Sequence, residues 1–318
     1  MTEKTRIALA TGTMSATGWR DALDTAFGNA GLNFDLQPWN GKTIGARYAI
    51  VWLPPAELFA AEPELRAVFN LGAGVDALLA RGVVPVQIPV LRLVDAGMGP
   101  KIAEYVCFAI ARITRGLERF APPPHGLRDW NASRPRGESP VVGVLGLGAI
   151  GQPIGDAAAR FGYRVLGWSR RPRALARIET FAGAAQFDAL LERTQVLVNA
   201  LPLTPQTEDL LDRRAFALMP HESHLINVGR GGTVVDADLI AALDAGQLAS
   251  ATLDVFRTEP LPPEHPFWSH PKITVTPHLS GPTPYGSAAD QIVAALTQLE
   301  HGVAPRDLPG YVDRAAGY

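Results

Sequence analysis

The chain has 318 residues, 47% of them hydrophobic and 19% charged, with a formal net charge of −2; that length suits two domains of ordinary size, and the balance gives no general field for nucleic acid. No apolar run approaches the roughly 20 residues of a membrane span, no secretory signal is visible at the start, and the lone Cys107 allows neither an internal disulfide nor a cysteine-rich zinc site. A cytoplasmic, metal-free protein without nucleic-acid or membrane partners is expected.

The first hundred residues are expected to form a small α/β domain. Strands are expected at 6–10, 48–52 and 67–71, with a helix over 19–30 between the first two, and such alternation implies a parallel sheet. The most informative turn is Leu71-Gly72-Ala73-Gly74-Val75-Asp76. A glycine-rich junction of this kind can present backbone N–H groups to a carboxylate. It can equally be a plain turn, and spacing alone does not choose. The apolar segment 100–117 reads as a linker helix into a second domain. The stretch 121–140, rich in proline, charge and small residues, reads as a loop or arm, with Trp130 a candidate for burial against a partner subunit.

From Val141 the pattern is that of a βαβ unit. A short apolar run (141–145) leads into Gly146-Leu147-Gly148-Ala149-Ile150-Gly151, which fits G-x-G-x-x-G; a small-residue helix follows to Gly162, then a second apolar run (163–168). Glycines at such a turn permit tight winding and close approach of a pyrophosphate, and the helix N-terminus faces the anion. Pro153 sits early in the helix, where a missing N–H is tolerated. An NAD site usually places a carboxylate about twenty residues further on, to bind the ribose 2′-hydroxyl. Here that position reads Ser169-Arg170-Arg171, with Arg173 close behind. Guanidinium groups there can pair with a 2′-phosphate, so NADP(H) is the expected cofactor.

Further strands are expected at 196–200, 224–228, 250–256 and 273–276, as short apolar runs suited to a sheet covered on both faces. Helices are expected at 209–217 and 236–245, the latter capped by Asp236 and stopped by Gly246. A last helix, 285–301, should return the chain to the first domain. The expected architecture is α/β with two Rossmann-like or flavodoxin-like lobes. A doubly wound, parallel-sheet cofactor domain (99–283) is inserted in a smaller, discontinuous substrate domain (1–98 with 284–318).

Ligands of open α/β sheets bind beyond the carboxyl ends of the strands. Just past three of those ends come Arg230, Glu259 and His278. That set suits reduction of a 2-keto acid. A protonated imidazole (His278) gives a proton to the carbonyl oxygen, and a neighbouring carboxylate (Glu259) favours the charged ring and fixes its tautomer. A guanidinium (Arg230) holds the substrate carboxylate or the carbonyl oxygen. Taken singly, each could be an ordinary surface or turn residue. Their joint placement supports catalysis.

These residues resemble the D-isomer-specific 2-hydroxyacid dehydrogenases almost end to end. The shared marks are the glycine turn, Asn199-Ala200-Leu201-Pro202-Leu203-Thr204 with Thr207, Asn227-Val228-Gly229-Arg230-Gly231, Leu253-Asp254-Val255-Phe256 with Glu259-Pro260, and Thr276-Pro277-His278. Val51-Trp52-Leu53-Pro54-Pro55, the 71–76 turn, Arg92 before Asp95-Ala96-Gly97-Met98-Gly99, Trp168-Ser169-Arg170 and the ending 312–318 are similar to a bacterial subgroup acting on glyoxylate and hydroxypyruvate. The arm at 121–140 departs from the pattern in its proline and arginine content, which bears on substrate preference if it enters a partner's pocket.

The resemblance implies Arg230, Glu259 and His278 as the catalytic set, a homodimer, and NADPH as reductant. It places Leu201, Pro202, Thr207, Val228, Gly229 and Asp254 at the cofactor beside the glycine turn and Ser169-Arg170-Arg171. It also implies that the N–H groups of Ala73, Gly74 and Val75 hold the substrate carboxylate, with Trp52 as a pocket wall and Arg92 as a further pocket residue. Trp52 could also be ordinary core. Two other readings share these features: an NAD-linked dehydrogenase or phosphite-type oxidase on the same fold, and a dinucleotide-sensing scaffold without catalysis.

Overall fold

The computed structural model describes residues 4–117 and 139–318. The arm at 121–140, Trp130 included, lies outside them except for its last two residues. The chain divides into two compact units, Met1–Gly97 with Thr283–Tyr318, and Met98–Pro282.

In chain order the first unit supplies β1 (Thr5–Ala10), α1 (Ala16–Asn29), β2 (Phe34–Pro38), β3 (Tyr48–Val51), α2 (Glu57–Ala61), β4 (Ala67–Asn70), α3 (Asp76–Ala80) and β5 (Val90–Arg92). The second follows with α4 (Met98–Arg115), β6 (Val142–Leu145), α5 (Gly151–Arg160), β7 (Val165–Ser169), β8 (Glu179–Ala182) and α6 (Phe187–Leu191). It continues with β9 (Val196–Asn199), α7 (Arg213–Leu218), β10 (Ser223–Asn227), α8 (Asp236–Asp244), β11 (Leu248–Leu253) and β12 (Ile273–Val275). The last helix, α9 (Tyr285–Glu300), belongs to the first unit again.

Each unit is a parallel sheet. The first has the order β2-β1-β3-β4-β5, the flavodoxin arrangement. Its central strands β3 and β4 are buried along their whole length, as helices on both faces require. On this sheet α9 packs against α1, where the fully buried Trp19 meets Tyr285 edge to face, centroids 4.9 Å apart. The second sheet has seven strands in the order β12-β11-β10-β9-β6-β7-β8. The chain winds from β6 outward through β7 and β8, then returns to β9 on the other side. The turn after β6 therefore lies at the point where strand order reverses, the usual ligand position of a Rossmann sheet.

The glycines explain why that turn is so tight. Gly146 adopts φ +93°, in the left-handed region that a side chain disfavours. A Cβ on Gly151 would lie 1.7 Å from the Gly146 carbonyl oxygen, so only a bare backbone can start α5 there.

Two expected helices change. The segment from Asp209 does not begin one: Asp209 takes φ +52° and its N–H bonds to the Gly232 carbonyl, 3.0 Å away. The helix starts at Arg213, because the Asp212 carboxylate accepts from Ala215 N at 2.9 Å and caps it. Asp236 does not cap α8. It is the first helical residue, with Val235 at the cap, and its carboxylate lies 3.5 Å from His265 Nε2. Gly246 does stop that helix in the left-handed conformation, φ +77°. The strand expected at 250–256 runs instead from Leu248 to Leu253, so Asp254 and Phe256 already belong to the turn beyond it.

Candidate active site

The glycine turn opens on a cavity of about 360 Å³ lined by Gly148, Ala149, Gln152, Pro153, Asp156 and Arg173. A Cβ on Gly148 would meet nothing within 4 Å, so this side of the turn faces space while the Gly151 side is packed shut. Ile150 occupies the cap position of α5. At the end of β7 the Ser169 hydroxyl donates to the Arg171 carbonyl (2.8 Å), folding the segment into a turn on which Arg170 and Arg171 are exposed. Arg173 reaches back over the glycine loop and donates to the Leu147 carbonyl. A cradle of bare backbone with guanidinium groups at its rim fits a dinucleotide that carries a 2′-phosphate.

The next wall comes from the ends of β9 and β10. Leu201 and Val228 are buried, Pro202 is exposed, and the Thr207 hydroxyl donates to the Pro202 carbonyl at 2.6 Å, closing the 202–207 turn. A Cβ on Gly229 would lie 2.7 Å from the Leu201 carbonyl oxygen. The two turns thus meet backbone to backbone.

Beyond β10, β11 and β12 come the three polar side chains. His278 Nδ1 and Glu259 Oε2 are 2.7 Å apart. Burial opposes ionisation of Glu259, but hydrogen bonds from His278 and from Phe256 N, with the charges of His278 and Arg230, outweigh it and hold the carboxyl below its ordinary value. Arg230 is therefore within electrostatic reach of the pair. It donates from Nη1 to the Gly229 carbonyl at 2.8 Å. His278 itself sits at φ +50°, a conformation a non-glycine residue adopts only when its surroundings impose it.

Asp254 imposes it. This residue is fully buried, and its carboxylate accepts from Leu279 N and Ser280 N, both at 2.9 Å, and from the Thr276 hydroxyl at 2.6 Å. Its backbone carbonyl accepts from His278 N at 2.9 Å. The structure thus makes Asp254 the anchor of the His278 turn. The Tyr105 hydroxyl on α4 is 2.7 Å from that of Thr276 and extends the support. Glycine again permits the assembly: a Cβ on Gly231 would fall 1.9 Å from the Phe256 carbonyl carbon, so the turn carrying Arg230 rests directly on the one carrying Glu259.

The remaining site candidates lie in the first unit, at the carboxyl ends of β3, β4 and β5. The Asn70 amide donates to the carbonyls of Gly72 (3.0 Å) and Gly74 (2.9 Å). Each peptide is a trans plane with N–H opposite C=O, so this grip turns the N–H groups of Ala73 and Val75 the other way. The Trp52 indole lies on Gly72, where a Cβ would be 2.7 Å from Cζ3. Arg92 is half-buried, and burial lowers its guanidinium below the ordinary arginine value. Its Nη1 donates to the Leu93 carbonyl at 3.0 Å, while its Nε is enclosed with no partner among the described residues. Arg92 lines a small cavity with Asn70, Gln291 and Pro309.

The supporting roles of Asn70, Asn199, Asn227, Thr233 and Tyr105 are not read from the sequence, although Asn199 and Asn227 stand in two of the shared marks. One signal was available. Each of the three asparagines is the last residue of an apolar strand run (AVFN, VLVN, SHLIN), and each is no more than 2% exposed. A buried amide at a strand's carboxyl end has few partners other than the loop it precedes. Among the histidines outside the pair, His265 and His270 each face a carboxylate, Asp236 at 3.5 Å and Asp244 at 3.2 Å, which their polar, proline-rich surroundings did not suggest.

A family model described as D-isomer specific 2-hydroxyacid dehydrogenase, NAD binding domain, matches residues 127–280. The chain belongs to the D-isomer-specific 2-hydroxyacid dehydrogenase family. A curated protein of Yersinia enterocolitica named glyoxylate/hydroxypyruvate reductase A is 38% identical over 310 residues, covering 95% of this chain and 96% of that protein. Among solved structures, a D-isomer specific 2-hydroxyacid dehydrogenase from Xanthobacter autotrophicus in complex with NADPH and MES superposes with a TM-score of 0.88 at 36% identity, covering 99% of this chain and 100% of that one. An NADPH-dependent glyoxylate/hydroxypyruvate reductase from Sinorhizobium meliloti, in complex with NADP and sulfate, gives 0.86 at 32% identity with the same coverage.

Proposed function

We propose that this protein is an NADPH-dependent reductase of small 2-keto acids, converting glyoxylate to glycolate and hydroxypyruvate to D-glycerate. The observation that carries the reading is the 2.7 Å pairing of His278 with Glu259, beside Arg230, on the same sheet whose first turn is the bare-backbone cradle. Bound NADPH supplies the hydride that reduces the carbonyl carbon. Because Nδ1 of His278 is taken by Glu259, Nε2 is the nitrogen that gives its proton to the carbonyl oxygen. Arg230 fixes the keto acid by its carboxylate and favours the developing negative charge. Within the first unit, the N–H groups of Ala73, Gly74 and Val75 suit a carboxylate, with Trp52 on the same turn and Arg92 at the neighbouring strand end, which supports that unit as the substrate domain and the second as the cofactor domain. The protein works as a cytoplasmic homodimer; the exposed rings of Phe108 on α4 and Phe161 at the end of α5 suit a face covered by a second copy.

The decisive assay follows NADPH absorbance with glyoxylate, hydroxypyruvate and larger keto acids. Turnover with the two small acids is expected. Intact NADPH binding without turnover of any keto acid would leave a dinucleotide-binding scaffold instead.

Cofactor preference has its own test. Replacing Arg170 and Arg171 together with alanine removes the charge-assisted hydrogen bonds to the 2′-phosphate, worth about 3 kcal/mol. NADPH should then bind about a hundredfold more weakly, while NADH changes by less than about threefold. Equal losses for both cofactors would end the 2′-phosphate assignment.

Glu259→Gln tests the proton donor's partner. The Glu259 carboxyl lies below its ordinary value, so it is ionised across neutral pH and protonates only as pH falls below the usual carboxylate range. Glutamine can present its NH₂ as readily as its oxygen to His278 Nδ1 and so no longer fixes the tautomer that leaves the proton on Nε2; kcat for glyoxylate should fall by about tenfold while NADPH binding is unchanged. Unchanged kcat would remove Glu259 from this role.

A further inference from the structure

The carbonyl of Arg230 is held to an unusual degree. It accepts from the Thr233 hydroxyl at 2.6 Å, from Asn227 Nδ2 at 3.2 Å and from Thr233 N at 3.3 Å. The side chains behind these bonds form one buried network. Asn199 Nδ2 donates both to the Thr233 hydroxyl (2.7 Å) and to Asn227 Oδ1 (2.9 Å). Leu201 N donates to Asn199 Oδ1 at 3.2 Å, and Gly229 N to Asn227 Oδ1 at 3.1 Å. Asn199 and Thr233 are 0% exposed and Asn227 1%, so water does not compete for any of these groups.

The donors and acceptors run in one direction. The Leu201 N–H points to the Asn199 carbonyl oxygen, which fixes which end of that amide carries the NH₂. The NH₂ then donates to the Thr233 oxygen, and this obliges the hydroxyl proton to point at the Arg230 carbonyl. A carbonyl gripped by three donors fixes the peptide plane that follows Arg230. The plane before it bears the Gly229 carbonyl, which receives Arg230's own Nη1, while Gly229 N is held by Asn227. The root and the head of the Arg230 side chain are thus referred to the same buried amide.

We propose that Thr233 is a positioning residue for Arg230: its hydroxyl sets the backbone from which the guanidinium reaches the keto-acid carboxylate. Removing the hydroxyl would leave one Asn199 N–H unmatched and take the shortest of the three bonds from the Arg230 carbonyl. The inner wall of the turn is otherwise apolar, with Leu211 and Val234 buried beside it, and the hydroxyl's two partners are the amide of Asn199 and the carbonyl that bears Arg230. The proposal rests on the reading of Arg230 as the group that holds the substrate.

Thr233→Val keeps the shape and removes the hydroxyl, and Thr233→Ser keeps the hydroxyl and removes the methyl. In the NADPH-linked assay with glyoxylate, Thr233→Val should lose about thirtyfold in kcat/KM, mainly through a raised KM, with the dissociation constant for NADPH within about twofold of wild type. Thr233→Ser should stay within about threefold of wild type in kcat/KM. The proposal is overturned if Thr233→Val retains wild-type kcat/KM, if serine does not rescue, or if NADPH binding falls as far as keto-acid turnover does. Should the valine variant not fold, Thr233→Ala against Thr233→Ser gives the same contrast. Wild-type protein runs alongside: failure of wild type to reduce glyoxylate defeats the functional reading, whereas wild-type turnover with an indifferent Thr233→Val defeats only the positioning role.

Discussion

His278→Asn lowers kcat for glyoxylate reduction by about a thousandfold and leaves NADPH binding unchanged. The magnitude follows from the role. A positioned general acid contributes roughly a hundred- to ten-thousandfold, and no other group in the described structure is paired with Glu259 to take over the transfer. Asparagine is the informative replacement because residue 278 sits at φ +50°. Among non-glycine residues asparagine tolerates that region well, so the turn anchored on Asp254 can persist while the ionisable ring is gone. Stopped-flow kinetics with saturating NADPH, together with a fluorescence titration of the cofactor, measures both quantities. A variant that keeps more than about a tenth of wild-type kcat would mean that the proton comes from elsewhere.

Arg230→Gln is expected to be nearly as costly, and to fail in a different way. A planar guanidinium can meet a carboxylate with two parallel N–H···O bonds. Charge-assisted bonds of this kind contribute about 2 kcal/mol each, so losing both costs about 4 kcal/mol, or roughly a thousandfold in kcat/KM. Much of that should appear as a raised KM, because the grip on the substrate carboxylate exists before the transition state as well as in it. Arg230→Lys retains a point charge without the fork and should recover only part of the loss. Arg230→Gln also withdraws one of the charges that depress the Glu259 carboxyl, so its protonation should move upward. Unchanged KM in Arg230→Gln, measured with glyoxylate and hydroxypyruvate, would take the substrate carboxylate away from this residue.

Much of this arrangement is written locally and can be read before folding. Gly146, Gly148 and Gly151 announce their turn because an apolar run precedes them and a small-residue helix follows. Arg230, Glu259 and His278 stand just past apolar runs, and in a parallel sheet every such position lies on one rim. The seven- and five-stranded parallel sheets accord with the expected α/β class. Edge elements were harder. Strand β2 alternates over only the four residues Phe34-Asp35-Leu36-Gln37 before Pro38 ends it, and β8 has no alternation and is half-exposed along its length, so neither stands out. Strand β5 is three residues long, too short to display any pattern.

What remained out of reach depends on residues distant in sequence. Asn199 and Asn227 are 28 positions apart and meet only because β9 and β10 pair in register. The resemblance puts Asp254 at the cofactor, but its role as anchor shows only once the 276–280 segment folds onto its carboxylate. The helix expected from Asp209 fails for a similar reason. A partner at Gly232 claims its N–H, and Asp212 offers a better cap three residues later. Local propensity was outvoted by tertiary hydrogen bonds.

The seat of Gly231 on Phe256 also bears on any attempt to give this scaffold a new substrate. With 1.9 Å between a would-be Cβ and the neighbouring main chain, no amino acid but glycine can stand there. The two segments it joins therefore behave as one cassette. Diversity introduced into the stretch bearing the guanidinium must be matched by diversity in the stretch bearing the acid, and a library that varies either alone will mostly sample misfolded rims rather than new specificities.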